Sequence, residues 1–188
     1  PGNFQDILNI YYTVLNAGVE NFTFRCDRSY VTCLNDVDTL ANSQDILSDI
    51  NNYVHPFNGF NHIETTYDNL GNVTVSIVKS YTQERIKAIN EAVDRIYAEV
   101  VDQNLGVDQN IKNIHDYIIN NTKYDNMRKK GDSPYSSDTA YGALYEGYAV
   151  CGGYADTMAL FLNRLNVTNF KMSSEMHVWN AVYINGQW

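Results

Sequence analysis

The chain has 188 residues, is 44% hydrophobic and 19% charged, and carries a formal net charge of −9 at pH 7. It has enough apolar material to bury a core and too little charge for a disordered polymer. Its acidity argues against nucleic acid as a partner, and no apolar run reaches the roughly 18 residues of a membrane span, so no membrane insertion is expected.

Residues 1–81 read as a small α/β module. No secretory leader is recognisable, and Pro1-Gly2-Asn3, lacking a Met, reads as an artificial scar or a processed end. The stretch Asp6–Val19 sets Ile7, Leu8, Ile10, Tyr11, Val14 and Leu15 at helical spacing. Asn21–Cys26 alternates around Phe22 and Phe24 and predicts a strand. Residues 35–54, with Val37, Leu40, Ile46, Leu47 and Ile50, predict one helix or two short ones. Phe60–Tyr67 and Val73–Tyr81 are strand-like, with Asn69-Leu70-Gly71-Asn72 as the turn of a hairpin. His55 and His62 stand alone and read as structural or solvated side chains. Nothing in this module ties to chemistry.

Residues 82–188 form the second part. Ile86, Ile89, Ala92, Val93, Ile96 and Val100 mark a helix over Gln83–Gln103. Ile111, Ile114, Tyr117 and Ile118 mark another over Asp108–Asn121, with Asp108 as its cap. Asn126–Asp138 is polar, contains Gly131 and Pro134, and reads as a surface loop whose Arg128, Lys129 and Lys130 are solvated.

Two features beyond the loop point to chemistry. From Cys151 a helical stripe runs through Tyr154, Ala155, Met158, Ala159, Leu162 and Leu165, which sets Cys151 at a helix start. There a sulfur meets the positive end of the helix dipole and backbone N–H groups without intrahelical partners, the donors an oxyanion needs. Gly152 and Gly153 let another segment approach closely. The competing reading is an inert, packed thiol. The second feature is the strand Met176–Ile184, with His177, Trp179, Ala181 and Tyr183 on one face, followed by the hairpin signal Asn185-Gly186. A two-residue turn pairs Ile184 with Gln187. In that register the position four past Trp188 stands opposite Trp179, beside His177, where an acid orients an imidazole. The strand's pairing partner is thus expected after Trp188. The stretch between Cys151 and His177 holds a helix, a turn and a returning strand, so the two side chains can face each other.

Three cysteines are too few for a disulfide scaffold. Cys26 and Cys33 can pair and leave Cys151 as the odd thiol; three reduced thiols of a cytosolic protein is the other reading.

The segments Ile114-His115-Asp116-Tyr117-Ile118, Tyr124-Asp125, Thr139-Ala140-Tyr141-Gly142-Ala143-Leu144, Val150-Cys151-Gly152-Gly153-Tyr154-Ala155, His177-Val178-Trp179-Asn180-Ala181-Val182 and Asn185-Gly186-Gln187-Trp188, in this order, resemble the bacterial transglutaminase-like superfamily over residues of about 108 to 188. The resemblance implies an α+β, papain-like core, a nucleophile helix on an antiparallel sheet, behind the N-terminal module. It implies Cys151 as nucleophile, His177 as base and an Asp just past Trp188 as third member of the triad. Trp179, Gly152 and Tyr148 are candidate walls of the site, and an aromatic side chain from Tyr141–Tyr148 is a candidate second oxyanion donor. Asp116 and Asp125 read as braces. No metal and no cofactor are expected. The implied chemistry is acyl transfer or hydrolysis on protein or peptide amides, at the surface of a bacterium or outside it, with the cytoplasm open. The competing class is a noncatalytic binding or scaffolding module of a cell-surface or wall-associated protein.

Overall fold

A computed structural model describes residues 1–188, the side chain of Lys129 excepted, so the expectation of a solvated Lys129 lies outside the described residues. The chain divides into two compact units, Pro1–Tyr81 and Thr82–Trp188.

In the first unit, helices α1 (Phe4–Asn16), α2 (Cys33–Asn42) and α3 (Gln44–Tyr53) accompany a three-stranded antiparallel sheet. Its strands β1 (Asn21–Arg25), β2 (Phe60–Tyr67) and β3 (Asn72–Lys79) take the order β1-β3-β2. Helix α1 starts before Asp6 because the Asn3 side chain accepts the Asp6 N–H, and it ends at Asn16, ahead of Gly18 at φ 73°. The 35–54 stretch forms two helices because Ser43 turns extended and caps the second, its hydroxyl accepting the Ile46 N–H. Ile7, Tyr11 and Leu15 from α1 meet Val37 and Leu40 from α2 and Val73 and Val75 from β3 in one buried cluster. Cys26 and Cys33 form a disulfide.

The second unit is an α+β core. Helices α4 (Gln83–Val100) and α5 (Val107–Asn121) lead into a short strand, β4 (Lys123–Tyr124). After the 126–138 loop come one π-helical turn (Gly142–Glu146), β5 (Tyr148–Ala149), α6 (Cys151–Arg164), β6 (Asn169–Ser174) and β7 (His177–Val182). Strands β4 and β5 run parallel, and β6 and β7 antiparallel. Helix α6 packs on the β6–β7 sheet with Ala155, Ala159, Leu160, Phe161 and Leu162 buried. No helix among the described residues is long and apolar enough to cross a membrane.

Two local expectations need correction. Helix α5 is capped by the backbone at Gly106, not by the Asp108 side chain, which lies in the first turn and there complements the helix dipole. Strand β7 already has a full-length partner: β6 pairs with it from Asn169↔Val182 to Ser174↔His177. The mixed polar sequence Asn169–Ser174 hides this strand, because Lys171 takes a core position that an apolar pattern does not flag. Arg128 is exposed, as expected of the loop, and its guanidinium pairs at the surface with Asp138, Nε at 2.7 Å and Nη2 at 2.5 Å.

Candidate active site

Helix α6 begins at Cys151 because Val150, its cap, is extended (φ −99°, ψ −178°) and bound through its own N–H to the Ser137 carbonyl at 2.9 Å. No side chain caps this end, which leaves the first-turn N–H groups to the site. The first turn lies against residues 137–139. A Cβ on Gly153 would stand 2.9 Å from the Thr139 carbonyl and closer still to that of Ser137, and one on Gly152 would meet the Asp138 carbonyl at 3.2 Å. The glycines therefore admit a segment of backbone beneath the helix start.

Asp125 fixes that segment. It is 1% exposed, and its Oδ1 accepts the Met127 and Arg128 N–H groups at 3.0 and 3.2 Å while Oδ2 accepts the Ser133 and Ser137 hydroxyls. Burial alone would push the Asp125 carboxyl up; the four donors outweigh it and hold it below the usual carboxylate range. The Asp125 N–H extends the β4–β5 ladder to the Ala149 carbonyl at 2.9 Å, so one residue ties the loop to the strand that precedes Cys151.

On the other side, β7 is pinned to α6. The Asn180 amide donates to the Ala155 carbonyl at 3.0 Å. Its cross-strand partner, Lys171, reaches Asp156 at 2.7 Å, with both side chains largely buried. These contacts assign Lys171 and Asn180 to the sheet face on α6, and alternation puts His177, Trp179 and Ala181 on the other.

Cys151, half-buried, and His177, exposed, line one cavity of about 320 Å³. Residues 177–180 all line it, so both faces of β7 contribute. Trp179 lines it, 41% exposed, with its ring stacked on His177 at 5.9 Å between centroids. Helix α5 contributes His115, Ile118 and Ile119, β4 contributes Tyr124, and α6 contributes Tyr154, Ala155 and Met158. Among the described residues no three His, Cys, Asp or Glu side chains gather into a metal site.

Tyr148 and Gly152 do not line this cavity. Tyr148 stacks on Tyr135 with centroids 4.1 Å apart, because the β4–β5 pairing turns it toward the loop. Tyr141 and Tyr145 stack on each other, and the Tyr145 hydroxyl donates to the Ala88 carbonyl at 2.6 Å. The aromatic walls are instead Tyr124 and Tyr154. The second was legible as part of the Cys151–Tyr154–Ala155–Met158 stripe, which reads equally as plain core. The first belongs to the Tyr124-Asp125 segment of the resemblance, where nothing in the sequence marks it as a wall.

After Val182 the chain turns at Asn185 and Gly186, with φ of 53° and 83°, and Ile184 and Gln187 exchange both backbone hydrogen bonds at 2.8 and 3.0 Å. Both residues are left-handed, as a type I′ hairpin requires.

The family model of the transglutaminase-like superfamily matches residues 94–188. Among solved structures, a TGase is 15% identical with a TM-score of 0.47, the match covering 69% of this chain and 43% of that one. A proposed cysteine protease from Cytophaga hutchinsonii is 14% identical with a TM-score of 0.41, covering 66% of this chain and 58% of that one. The chain thus spans less than two thirds of either structure's length. No curated protein matches it.

Proposed function

The chain belongs to the transglutaminase-like superfamily, and on that premise we propose that it is a thiol enzyme acting on protein or peptide amides through a Cys151 acyl-enzyme. The observation that carries this reading is the shared cavity of Cys151, first residue of α6, and His177, first residue of β7.

The His177 imidazole takes the Cys151 proton, and the sulfur attacks the amide carbonyl. The C–S bond forms while the carbonyl electron pair moves to oxygen. Backbone N–H groups of the uncapped first turn of α6 receive that charge. The oxyanion collapses, the C–N bond breaks, and His177 returns the proton to the departing amine. Attack by water then gives hydrolysis, and attack by a primary amine gives a new amide. Trp179 limits the orientations open to the His177 ring through the stack between them.

An acid orients His177 from the far side. In a chain that continues past Trp188, the type I′ turn directs the next residues back along β7, and the fourth past Trp188 stands opposite Trp179. Removing such an acid costs on the order of 10⁴ in rate in the serine-protease case. The Cys26–Cys33 disulfide supports an oxidising compartment, outside the cytosol.

The test uses a denatured protein substrate and two readouts, new amino termini or ammonia for hydrolysis and incorporation of a fluorescent primary amine for transfer. Cys151→Ala is expected to abolish both. His177→Ala is expected to lower both by roughly 10²–10⁴-fold. Activity that persists in Cys151→Ala would overturn the reading, and a wild type without either activity would leave the fold as a binding module.

A further inference from the structure

We infer that the α5 side of the cavity beside Cys151 is a pocket for an apolar side chain of the acyl donor, so that the substrates are amides flanked by an aliphatic or aromatic residue and not by a charged one. This rests on Cys151 being the nucleophile.

The walls carry the argument. Buried Ile118 and Ala155 lie at the inner wall, and Ile119, Tyr124, Tyr154 and Met158 complete the sides. The one polar atom on Tyr154 is already used, its hydroxyl donating to the Thr122 carbonyl at 2.7 Å, so the residue presents only its ring, stacked near-parallel with that of Tyr124 at 6.4 Å. Apart from Cys151 and His177, the titratable groups on the lining are the two tyrosines and His115, the last exposed and held by Asp116 at 3.1 Å. A charged side chain entering there would lose its hydration and find no counter-charge, whereas an apolar one loses only unfavourable contact with water. At about 320 Å³ the space lies at the small end of ligand pockets, which run about 300–1,000 Å³, and so suits one or two side chains and not a long segment. Ile119 is 51% exposed and Tyr124 43%, so both offer apolar surface that a group entering the cavity would cover. Since the nucleophile opens on the same space, the covering group arrives with the amide that Cys151 attacks.

Chloroacetamides test the pocket directly, whatever the natural substrate. The sulfur attacks the chloromethyl carbon, the C–S bond forms, the C–Cl bond breaks, and chloride leaves as the thiol proton is taken up by His177 or solvent. The warhead is the same in N-benzylchloroacetamide, N-(chloroacetyl)glycine and N-(2-aminoethyl)chloroacetamide; only the appended group differs. Labelling rates at Cys151, read by peptide mass mapping, are divided by the rates of the same reagents with N-acetylcysteine. The benzyl reagent is expected to be favoured at least about tenfold over both charged ones. The cationic reagent separates the pocket from the overall acidity of the chain, which would favour a cation. Ile119→Asp, at a half-exposed site that tolerates substitution, is expected to bring the normalised rates together. Equal normalised rates in the wild type, or a benzyl preference that survives Ile119→Asp, would overturn the pocket. The effect of His177→Ala on labelling by chloroacetamide itself judges the nucleophile separately, so the two ideas fail by different results.

Discussion

Asp125 accepts four hydrogen bonds while 1% exposed, and none of the donors is a cation. A carboxylate there is held chiefly by hydroxyl and backbone dipoles, with the charge of Arg128 interacting more weakly, and its proton affinity falls below the usual range despite burial. A group whose folded value is depressed stabilises the fold at pH above its unfolded value of about 3.9, and that stabilisation is lost as pH falls through the folded value. Asp125→Asn keeps the shape but turns one acceptor into a donor facing donors. We expect it to lower the melting temperature by several degrees at pH 7, and the gap to the wild type to narrow below about pH 4 as the wild-type carboxyl takes up a proton. Thermal melts of the two proteins across that range check this; a gap independent of pH would show that the charge contributes nothing. Asp116, by contrast, is a surface brace, its carboxyl lowered by Lys112 first and His115 second, and no comparable effect is expected there.

At the scale of elements, the seat of α6 on β6 and β7 sets how His177 meets Cys151. Two adjacent polar contacts, Lys171–Asp156 and Asn180 to Ala155, cross that interface one helical turn beyond Cys151. Breaking a buried ion pair from one side leaves the other charge uncompensated and costs about 3–5 kcal/mol. Lys171→Met is therefore expected to destabilise the domain strongly, and Lys171→Met with Asp156→Leu to recover part of that loss, measured by urea unfolding. No recovery in the double variant would mean that Asp156 serves other partners more than Lys171. The first turn of α6 gives a second prediction in which two effects oppose. Helix propensity favours Ala over Gly by about 1 kcal/mol, yet a Cβ at residue 153 would press on the Ser137 and Thr139 carbonyls. Backbone carbonyls cannot step aside as a side chain can, so Gly153→Ala is expected to destabilise by about 1–3 kcal/mol. A stabilised Gly153→Ala would show that the 137–139 segment yields.

The whole chain consists of two compact units, and its three cysteines are divided between them. The disulfide closes a short loop within the first unit, where chain entropy gives about 2–3 kcal/mol for a loop of this size. Alkylation of the native, unreduced protein is expected to mark Cys151 alone, and alkylation after reduction and unfolding to mark all three. Label on Cys26 or Cys33 before reduction would contradict the pairing and remove the support for an oxidising compartment.

The sequence by itself determined the elements whose signal is local: the stripes of α1, α4 and α6, the β2–β3 hairpin, the type I′ turn at Asn185-Gly186, and the position of Cys151 at a helix start. It also carried the superfamily, because the ordered motifs are themselves local strings. Tertiary structure decided what depends on partners distant in the chain. It decided that β6 exists, since a strand built around a buried Lys becomes favourable only once Asp156 is opposite it. It decided that Gly152 and Gly153 make room for backbone at 137–139, because the approaching segment is set by Asp125 and not by any neighbour in sequence. It decided that Tyr124 and Tyr154, and not Tyr148, form the aromatic wall, since the short parallel pairing of β4 with β5 turns Tyr148 toward Tyr135. A tyrosine's surroundings follow from which strand lies beside it, and periodicity along one segment holds no record of that.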